Sequence, residues 1–296
     1  METQQKDILH KTVRVNGVEI FYRQAGQRSQ PAILLLHGFP SSSVMFTRLM
    51  NSLSDRYYLL APDYPGFGFS AFPGVDSFDY SFDNMAGVIR GFMDALGLDK
   101  FFIYLHDYGS SIGLRICLSS PQQILGLIVQ NGNAYREGLG PQWDETIDYW
   151  RHPTEEKKRR VSAFLSEEGT RAQYTEGLPG HLLPLVGPEL WTLDWALMSR
   201  PGNIDMQFRL NCDFESNLAM YGQFQQYFRD QQPPALILWG KYDVFFSIEE
   251  AFCYQRDLPD SQLHILEGGH MALETNFEQV LSLITEFLTQ SSSLRS

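Results

Sequence analysis

The chain is poor in cysteine. Cys117, Cys212 and Cys253 are the only three in 296 residues, widely separated and without C-x-x-C or Cys/His ligand spacing. This excludes a disulfide-built scaffold and a zinc module, and it suits a reducing compartment. Positive charge is scarce as well: 23 Lys and Arg stand against 35 Asp and Glu, for a net charge of −12. A nucleic-acid partner or an anionic membrane surface selects the opposite balance. The one basic run, Lys157-Lys158-Arg159-Arg160, follows Glu155-Glu156 and reads as the solvated face of a helix. Long apolar runs are missing, so no membrane span is expected. The opening "METQQKDILHKTVRV" lacks the apolar core of a secretory signal. The expectation is a soluble, cytoplasmic protein without nucleic-acid partner. Phosphate-binding glycine loops are absent too, because "GFGFS" has neither the third glycine nor the lysine of those motifs. With no metal-ligand cluster either, no cofactor and no metal are expected.

What is present is an ordinary globular composition, 43% apolar and 20% charged, and a strongly punctuated pattern. Near the start, two alternating runs flank Asn16-Gly17 in "TVRVNGVEIFYRQAG", a type I′ hairpin signal. Then come short, nearly continuous apolar runs: "AILLLHG", "YYLLAPD", "FFIYLHD", "ILGLIVQNG", "ALILWG" and "LHILEGG". Each reads as a strand covered on both faces, as parallel strands are. Helical patterns such as "VMFTRLMNSLS", "FDNMAGVIRGFMDALG" and "FEQVLSLITEFLTQ" lie between or after them. The fold class is therefore α/β, a mostly parallel sheet flanked by helices after an antiparallel start. The alternation stops over residues 133–232, where helix-sized segments rich in Trp and Tyr are broken by Gly and Pro. These residues read as a helical insertion on a core formed by residues 1–132 and 233–296. The terminal "SSSLRS" reads as frayed.

Ligands of open α/β sheets bind at the carboxyl ends of the strands. There the sequence places His37-Gly38-Phe39-Pro40, Asp63, Asp107, Asn131-Gly132-Asn133, Asp243 and finally His270. A carboxylate, a second carboxylate and a histidine, in that chain order, have the composition of a nucleophile, acid and base triad. Singly, each has a plainer explanation, with Asp107 as a helix N-cap before Gly-Ser-Ser and His270 as a buried loop histidine. Their coincidence at successive strand ends favours the triad. Ser110 and Ser111, the rival nucleophiles for an esterase, follow the turn and do not sit at its apex. His37 and His106 read as hydrogen-bonding neighbours of the site, and Asp63 as the tie of its own turn.

The segments "HGFP", "DYPGFGFS", "HDYGSS", "WGKYD" and "GGH" resemble the α/β-hydrolase fold family over essentially the whole chain. With Asp at the nucleophile position, the chain is most similar to the epoxide hydrolase and haloalkane dehalogenase branch. The resemblance implies Asp107 as nucleophile, Asp243 as acid, His270 as base, an oxyanion hole from the backbone N–H groups of Phe39 and Tyr108, and a cap over residues 133–232. One departure is Leu105, where the family's elbow usually has a small residue; Gly109 on the far side conforms. A carboxylate is already ionised at neutral pH and can open an epoxide or expel a halide, leaving an ester on the enzyme. A neutral histidine then activates water against that ester.

Epoxide opening needs a proton for the departing alkoxide, and a tyrosine hydroxyl can supply it. In epoxide hydrolases the cap provides such tyrosines. Tyr221 in "NLAMYGQFQQYFRDQQPP" is similar in placement, with Tyr227 as its rival, and Tyr135 and Tyr149 are alternatives for a second. Haloalkane dehalogenases commonly have Trp after the nucleophile, whereas here Tyr108 follows Asp107. Trp143, Trp150, Trp191 and Trp195 remain as indole donors within the cap. Fluoroacetate dehalogenases need arginines just after the nucleophile, and Arg115 comes a turn late. The expected reaction is hydrolysis of an epoxide on a hydrophobic small molecule, with His37, Tyr135, Tyr149 and Trp143 near the substrate. The runner-up is haloalkane dehalogenation, followed by an esterase, a C–C hydrolase or a ligand-binding module.

Overall fold

The computed structural model describes residues 7–293, with side chains to residue 291. Eight strands form one sheet: β1 (Leu9–Val15), β2 (Val18–Ala25), β3 (Ala32–Leu36), β4 (Tyr58–Pro62), β5 (Phe101–His106), β6 (Ile124–Gln130), β7 (Ala235–Gly240) and β8 (Gln262–Leu266). Their spatial order is β1-β2-β4-β3-β5-β6-β7-β8. The β1–β2 hairpin turns at Asn16 and Gly17, with φ of 49° and 85°, the two left-handed residues a type I′ turn requires. β2 meets β4 antiparallel, and from β4 to β8 every pairing is parallel. β3, β4, β5 and β7 are buried at every position, which explains why these strands show no alternation.

The core helices are α1 (Thr47–Leu53), α2 (Phe82–Leu96) and α3 (Tyr108–Ser119). α2 shows how locally its limits are set: Ser81 Oγ accepts the Asn84 N–H at its start, and Gly97 ends it at φ 61°. Between β6 and β7 the chain forms helices only: α4 (Asp144–Arg151), α5 (Glu155–Val161), α6 (Glu167–Thr175), α7 (Glu189–Met198) and the 29-residue α8 (Asn203–Gln231), besides short 3₁₀ turns. α5 carries the basic run on an exposed face. The last helices are α9 (Glu249–Asp257), α10 (Ala272–Thr275) and α11 (Phe277–Ser293). The fraying expected of "SSSLRS" is corrected for its first half: α11 runs to Ser293 and buries Ser291, while residues 294–296 lie outside the described part.

The helices between β6 and β7 rest on the core through polar ties as well as aromatic packing. Arg115 of α3, 8% exposed, donates to Asn217 Oδ1 of α8 at 2.7 Å. Asp213 of α8 accepts the Phe82 N–H at 2.7 Å, and Asn203 Nδ2 donates to the Gly66 carbonyl at 2.6 Å. Together these bonds, the first two charge-assisted, hold α8 in a fixed position above the strand ends. No helix among the described residues is long and apolar enough to cross a membrane.

Candidate active site

β5 ends at His106 and α3 begins at Tyr108, so one residue, Asp107, makes the whole turn. Its backbone is held at φ 48°, ψ −120°, a conformation that costs a non-glycine residue ~1–3 kcal/mol. Strand and helix approach so closely here that Gly109 has no room for a Cβ against the Leu36 and His37 carbonyls. A Cβ on Gly38 would likewise overlap the Asp107 side chain. The departure at Leu105 has its compensation one helical turn further on. A Cβ on Gly113 would overlap Leu105 Cδ2, so the space usually left by a small residue on the strand is made on the helix.

At this apex, Asp107 Oδ1 accepts the Phe39 N–H at 2.5 Å, and the Tyr108 N–H also bonds the carboxylate. Burial raises the Asp107 pKa above the usual carboxylate range, while the His270 charge and these two N–H groups pull it back. His270 Nδ1 lies 2.8 Å from Asp243 Oδ2, and its Nε2 faces Asp107 Oδ2 at 3.9 Å, beyond hydrogen-bond length. Burial disfavours the imidazolium, but Asp243 and then Asp107 outweigh it, and the net pKa of His270 is raised. Asp243 is fixed in turn: Oδ1 accepts the Phe245 and Phe246 N–H groups at 2.7 and 3.1 Å, and Oδ2 accepts Asn131 Nδ2 at 2.8 Å.

Asn131 went unassigned in the sequence, although its place at the end of β6 was visible there. Its side chain joins Asp243 to β7, since Oδ1 accepts the Gly240 N–H at 3.0 Å. Its carbonyl receives the Asp107 N–H at 3.4 Å. His106 Nδ1 donates to the Gln130 carbonyl at 3.0 Å, and its ring packs 4.8 Å from that of His270. Asp63 accepts the Ser43 and Phe69 N–H groups at 2.7 and 2.8 Å, tying its turn as expected.

A cavity of about 190 Å³ opens at Asp107, lined by Phe39, Tyr108, Trp143, Phe164, Phe245 and Phe246 together with the polar Gln142, Thr146, Gln173 and Asn211. It is smaller than the ~300–1,000 Å³ of drug-sized ligand sites. Trp143 is in the lining as expected, but its indole N–H is committed to the Phe245 carbonyl at 2.8 Å.

Four other expectations are corrected, because these side chains are absent from that lining. Tyr221 is 2% exposed on α8, and its surrounding charges are Glu250, Arg136 and Arg115, not Asp107. Ten residues before it on the same helix Asn211 enters the lining, and seven before it Phe214 packs on Tyr108 with ring centroids 6.1 Å apart. Tyr135 turns towards α9, its hydroxyl donating to Asp257 Oδ2 at 3.0 Å. Tyr149 packs on Phe208, with ring centroids 5.8 Å apart. His37 is fully buried and stacked on Tyr64 at 4.1 Å, and burial drives its pKa down to about 3. It is therefore a neutral group that donates from Nδ1 to the Gly38 carbonyl and accepts the Tyr64 N–H at Nε2, the hydrogen-bonding neighbour expected and not a substrate contact. Tyr227 is spent near Cys117. Ser110 and Ser111 are buried with hydroxyls outside the lining, which removes the serine rivals from the cavity. Gln173 and Asn211 were not foreseen; amides on amphipathic helices carry no signal of which one a fold turns inward.

A family model described as "alpha/beta hydrolase fold" matches residues 31–277. An uncharacterised hydrolase of Saccharomyces cerevisiae, YNR064C, is 38% identical over 285 residues, covering 94% of this chain and 97% of the yeast protein. Epoxide hydrolase 2 of Siraitia grosvenorii is 34% identical over 122 residues, 41% of this chain and 38% of that protein. The crystal structure of haloalkane dehalogenase DbeA from Bradyrhizobium elkani superposes with a TM-score of 0.79 at 20% identity, covering 97% and 100% of the two chains. The family model spans most of the sequence and the solved neighbour shares the fold along nearly all of it, so the chain belongs to the α/β-hydrolase fold family.

Proposed function

We propose that this hydrolase opens an epoxide on a small, largely apolar molecule by way of an ester on Asp107, and releases a diol. The observation that carries the reading is the Asp107 apex: Oδ1 is held by the Phe39 N–H at 2.5 Å, while Oδ2 faces His270 Nε2 at 3.9 Å. The held oxygen becomes the ester carbonyl oxygen, already in its oxyanion site, and the other oxygen is the attacking atom. Attack forms a C–O bond to the substrate and breaks an epoxide C–O bond.

The second half follows from electrostatics. Esterification removes the Asp107 charge, one of the two that raise the His270 pKa, so the imidazole becomes free to take a proton. It then takes one from water attacking the ester carbonyl, with Asp243 holding Nδ1. The tetrahedral oxyanion collapses, the leaving alkoxide receives the His270 proton, and Asp107 is regenerated. The epoxide is favoured over a halide because the lining contains a tyrosine, Tyr108, whose hydroxyl can give a proton, whereas the Trp143 indole N–H is occupied.

His270→Gln tests the reading. Incubated separately with epoxides and haloalkanes, it accumulates a hydroxyalkyl ester mapped by mass to Asp107. A plain alkyl ester from halides alone sinks the epoxide assignment, and an acyl group on Ser110 or Ser111 sinks the nucleophile.

A further inference from the structure

The described tyrosines between β6 and β7 leave the alkoxide without its expected donor. Tyr135 is bonded to Asp257, Tyr174 to Asp194, and Tyr221, Tyr149 and Tyr227 are outside the cavity lining. Two hydroxyl-bearing side chains do line it, Tyr108 and Thr146. An aliphatic alcohol such as Thr146 is about as weak an acid as the product itself. A phenol is intrinsically stronger, with an unperturbed pKa of ~10, and burial raises the Tyr108 value so that the proton is held until an alkoxide forms. The geometry therefore points to Tyr108 as the proton donor to the departing oxygen, with the Asn211 amide holding the Tyr108 hydroxyl oxygen. This deepens the epoxide reading and rests on it.

The placement supports this role. Tyr108 follows the nucleophile directly, so its ring is carried by the same rigid elbow that aims Asp107. The ring is 4% exposed and clamped edge-on by Phe82 at 5.0 Å, with Phe39 and Phe214 about it at 6.0 and 6.1 Å. Burial and then the Asp107 charge raise the Tyr108 pKa and keep its hydroxyl protonated, while Asn211, 7% exposed on α8 and in the same lining, acts in the opposite direction. An amide N–H given to the phenolic oxygen leaves the phenolic hydrogen for the substrate, and it stabilises the phenolate that follows. The proton balance closes. The alkoxide takes the Tyr108 proton as the epoxide C–O bond breaks. Ester hydrolysis releases one proton, which returns to the phenolate, so the sum is epoxide plus water to diol.

The assignment divides labour within one residue, the Tyr108 N–H serving the ester oxyanion and its hydroxyl the leaving group. It also makes α8 part of the active site through Asn211, although both tyrosines of that helix, Tyr221 and Tyr227, lie outside the lining.

The test is single-turnover alkylation in the His270→Gln background, read by intact mass with one aliphatic epoxide and one alkyl bromide. Adding Tyr108→Phe should slow ester formation from the epoxide ~10²–10⁴-fold, the usual worth of general-acid catalysis. It should slow bromide alkylation less than ~10-fold, because a departing halide needs no proton. In otherwise wild-type enzyme, Tyr108→Phe should lower epoxide turnover across the whole working pH range, because burial keeps the Tyr108 hydroxyl protonated throughout it. Epoxide alkylation by Tyr108→Phe within threefold of its parent overturns the donor assignment while leaving the ester mechanism standing. Failure of the parent to take any epoxide overturns both. Should Tyr108→Phe fold poorly, Asn211→Ala alone decides: a roughly tenfold loss confined to the epoxide supports the pair, and an equal loss with both electrophiles refutes it.

Discussion

Replacing Gly113 by alanine asks whether the elbow tolerates Leu105 because α3 leaves space for it. The added Cβ would overlap Leu105 Cδ2 and come within 3.0 and 3.1 Å of Leu36 Cδ1 and Ile103 Cδ1, inside the ~3.5–4.0 Å of ordinary carbon contacts. Leu105 is fully buried and has nowhere to retreat. Overpacking of this kind costs ~1–3 kcal/mol. Against it stands the helix preference of Ala over Gly, ~1 kcal/mol at an interior position. The single exchange should therefore destabilise by ~0–2 kcal/mol. Leu105→Ala alone should cost ~2–5 kcal/mol for the cavity it leaves. Once that leucine is gone, Gly113→Ala meets no obstacle from it and should stabilise by up to ~1 kcal/mol, so the two changes couple by ~1–3 kcal/mol. Urea unfolding of the four proteins, compared at constant m, measures this directly. A coupling below ~0.5 kcal/mol, the level of independent sites, would refute the account of the elbow. Because Leu105 lies two residues before Asp107, Gly113→Ala should also slow ester formation, and restoration of the rate by Leu105→Ala would follow the same cycle.

Four further expectations concern the buried polar groups. The His270 pKa is raised, so its contribution to stability is complete below ~6.5 and is lost as pH rises through the folded value. Asp107→Asn mimics the neutral ester, and the His270 titration followed by NMR should fall in that variant; an unchanged midpoint contradicts the charge argument. Asn131→Ala removes the donor to Asp243 and strands the buried Gly240 N–H, a loss of ~1–3 kcal/mol accompanied by slower ester hydrolysis; unchanged melting and unchanged hydrolysis would discount the bridge. Glu250 of α9 accepts the Ala134 and Tyr135 N–H groups where the chain leaves the sheet, and burial raises its pKa from 4.5 to about 8. Its folded form holds the proton more tightly than the unfolded chain does, so stability should decline from pH 4.5 towards 8 and the slope should flatten in Glu250→Gln; equal slopes in denaturation at several pH values would reject this. The Tyr221 hydroxyl is buried without a partner, so Tyr221→Phe should leave the melting temperature unchanged or higher, and a clear drop would reveal a bond the structure lacks.

The sequence by itself determined the sheet and the placement of Asp107, Asp243 and His270 at its strand ends. Continuous apolar runs specify strands covered on both faces, Asn16-Gly17 specifies its hairpin, and the chemistry-bearing residues stand at the ends of those runs, where topology leaves one edge for them. These signals are local or follow directly from strand order. The helices between β6 and β7 were legible as helices, but which of their residues face Asp107 was not. Along the 29-residue α8, a one-position change in the face turned inward moves every side chain by 100°, and the placement that suggested Tyr221 says nothing of that face. Only the tertiary ties of Arg115 to Asn217 and of Phe82 to Asp213 fix that rotation. They bring Asn211 into the lining and Phe214 against Tyr108, and turn Tyr221 towards Glu250. The same holds for Leu105 and Gly113, eight residues apart in the chain: a strand position and a helix position share one volume, and only the packed structure shows which of them had to be glycine.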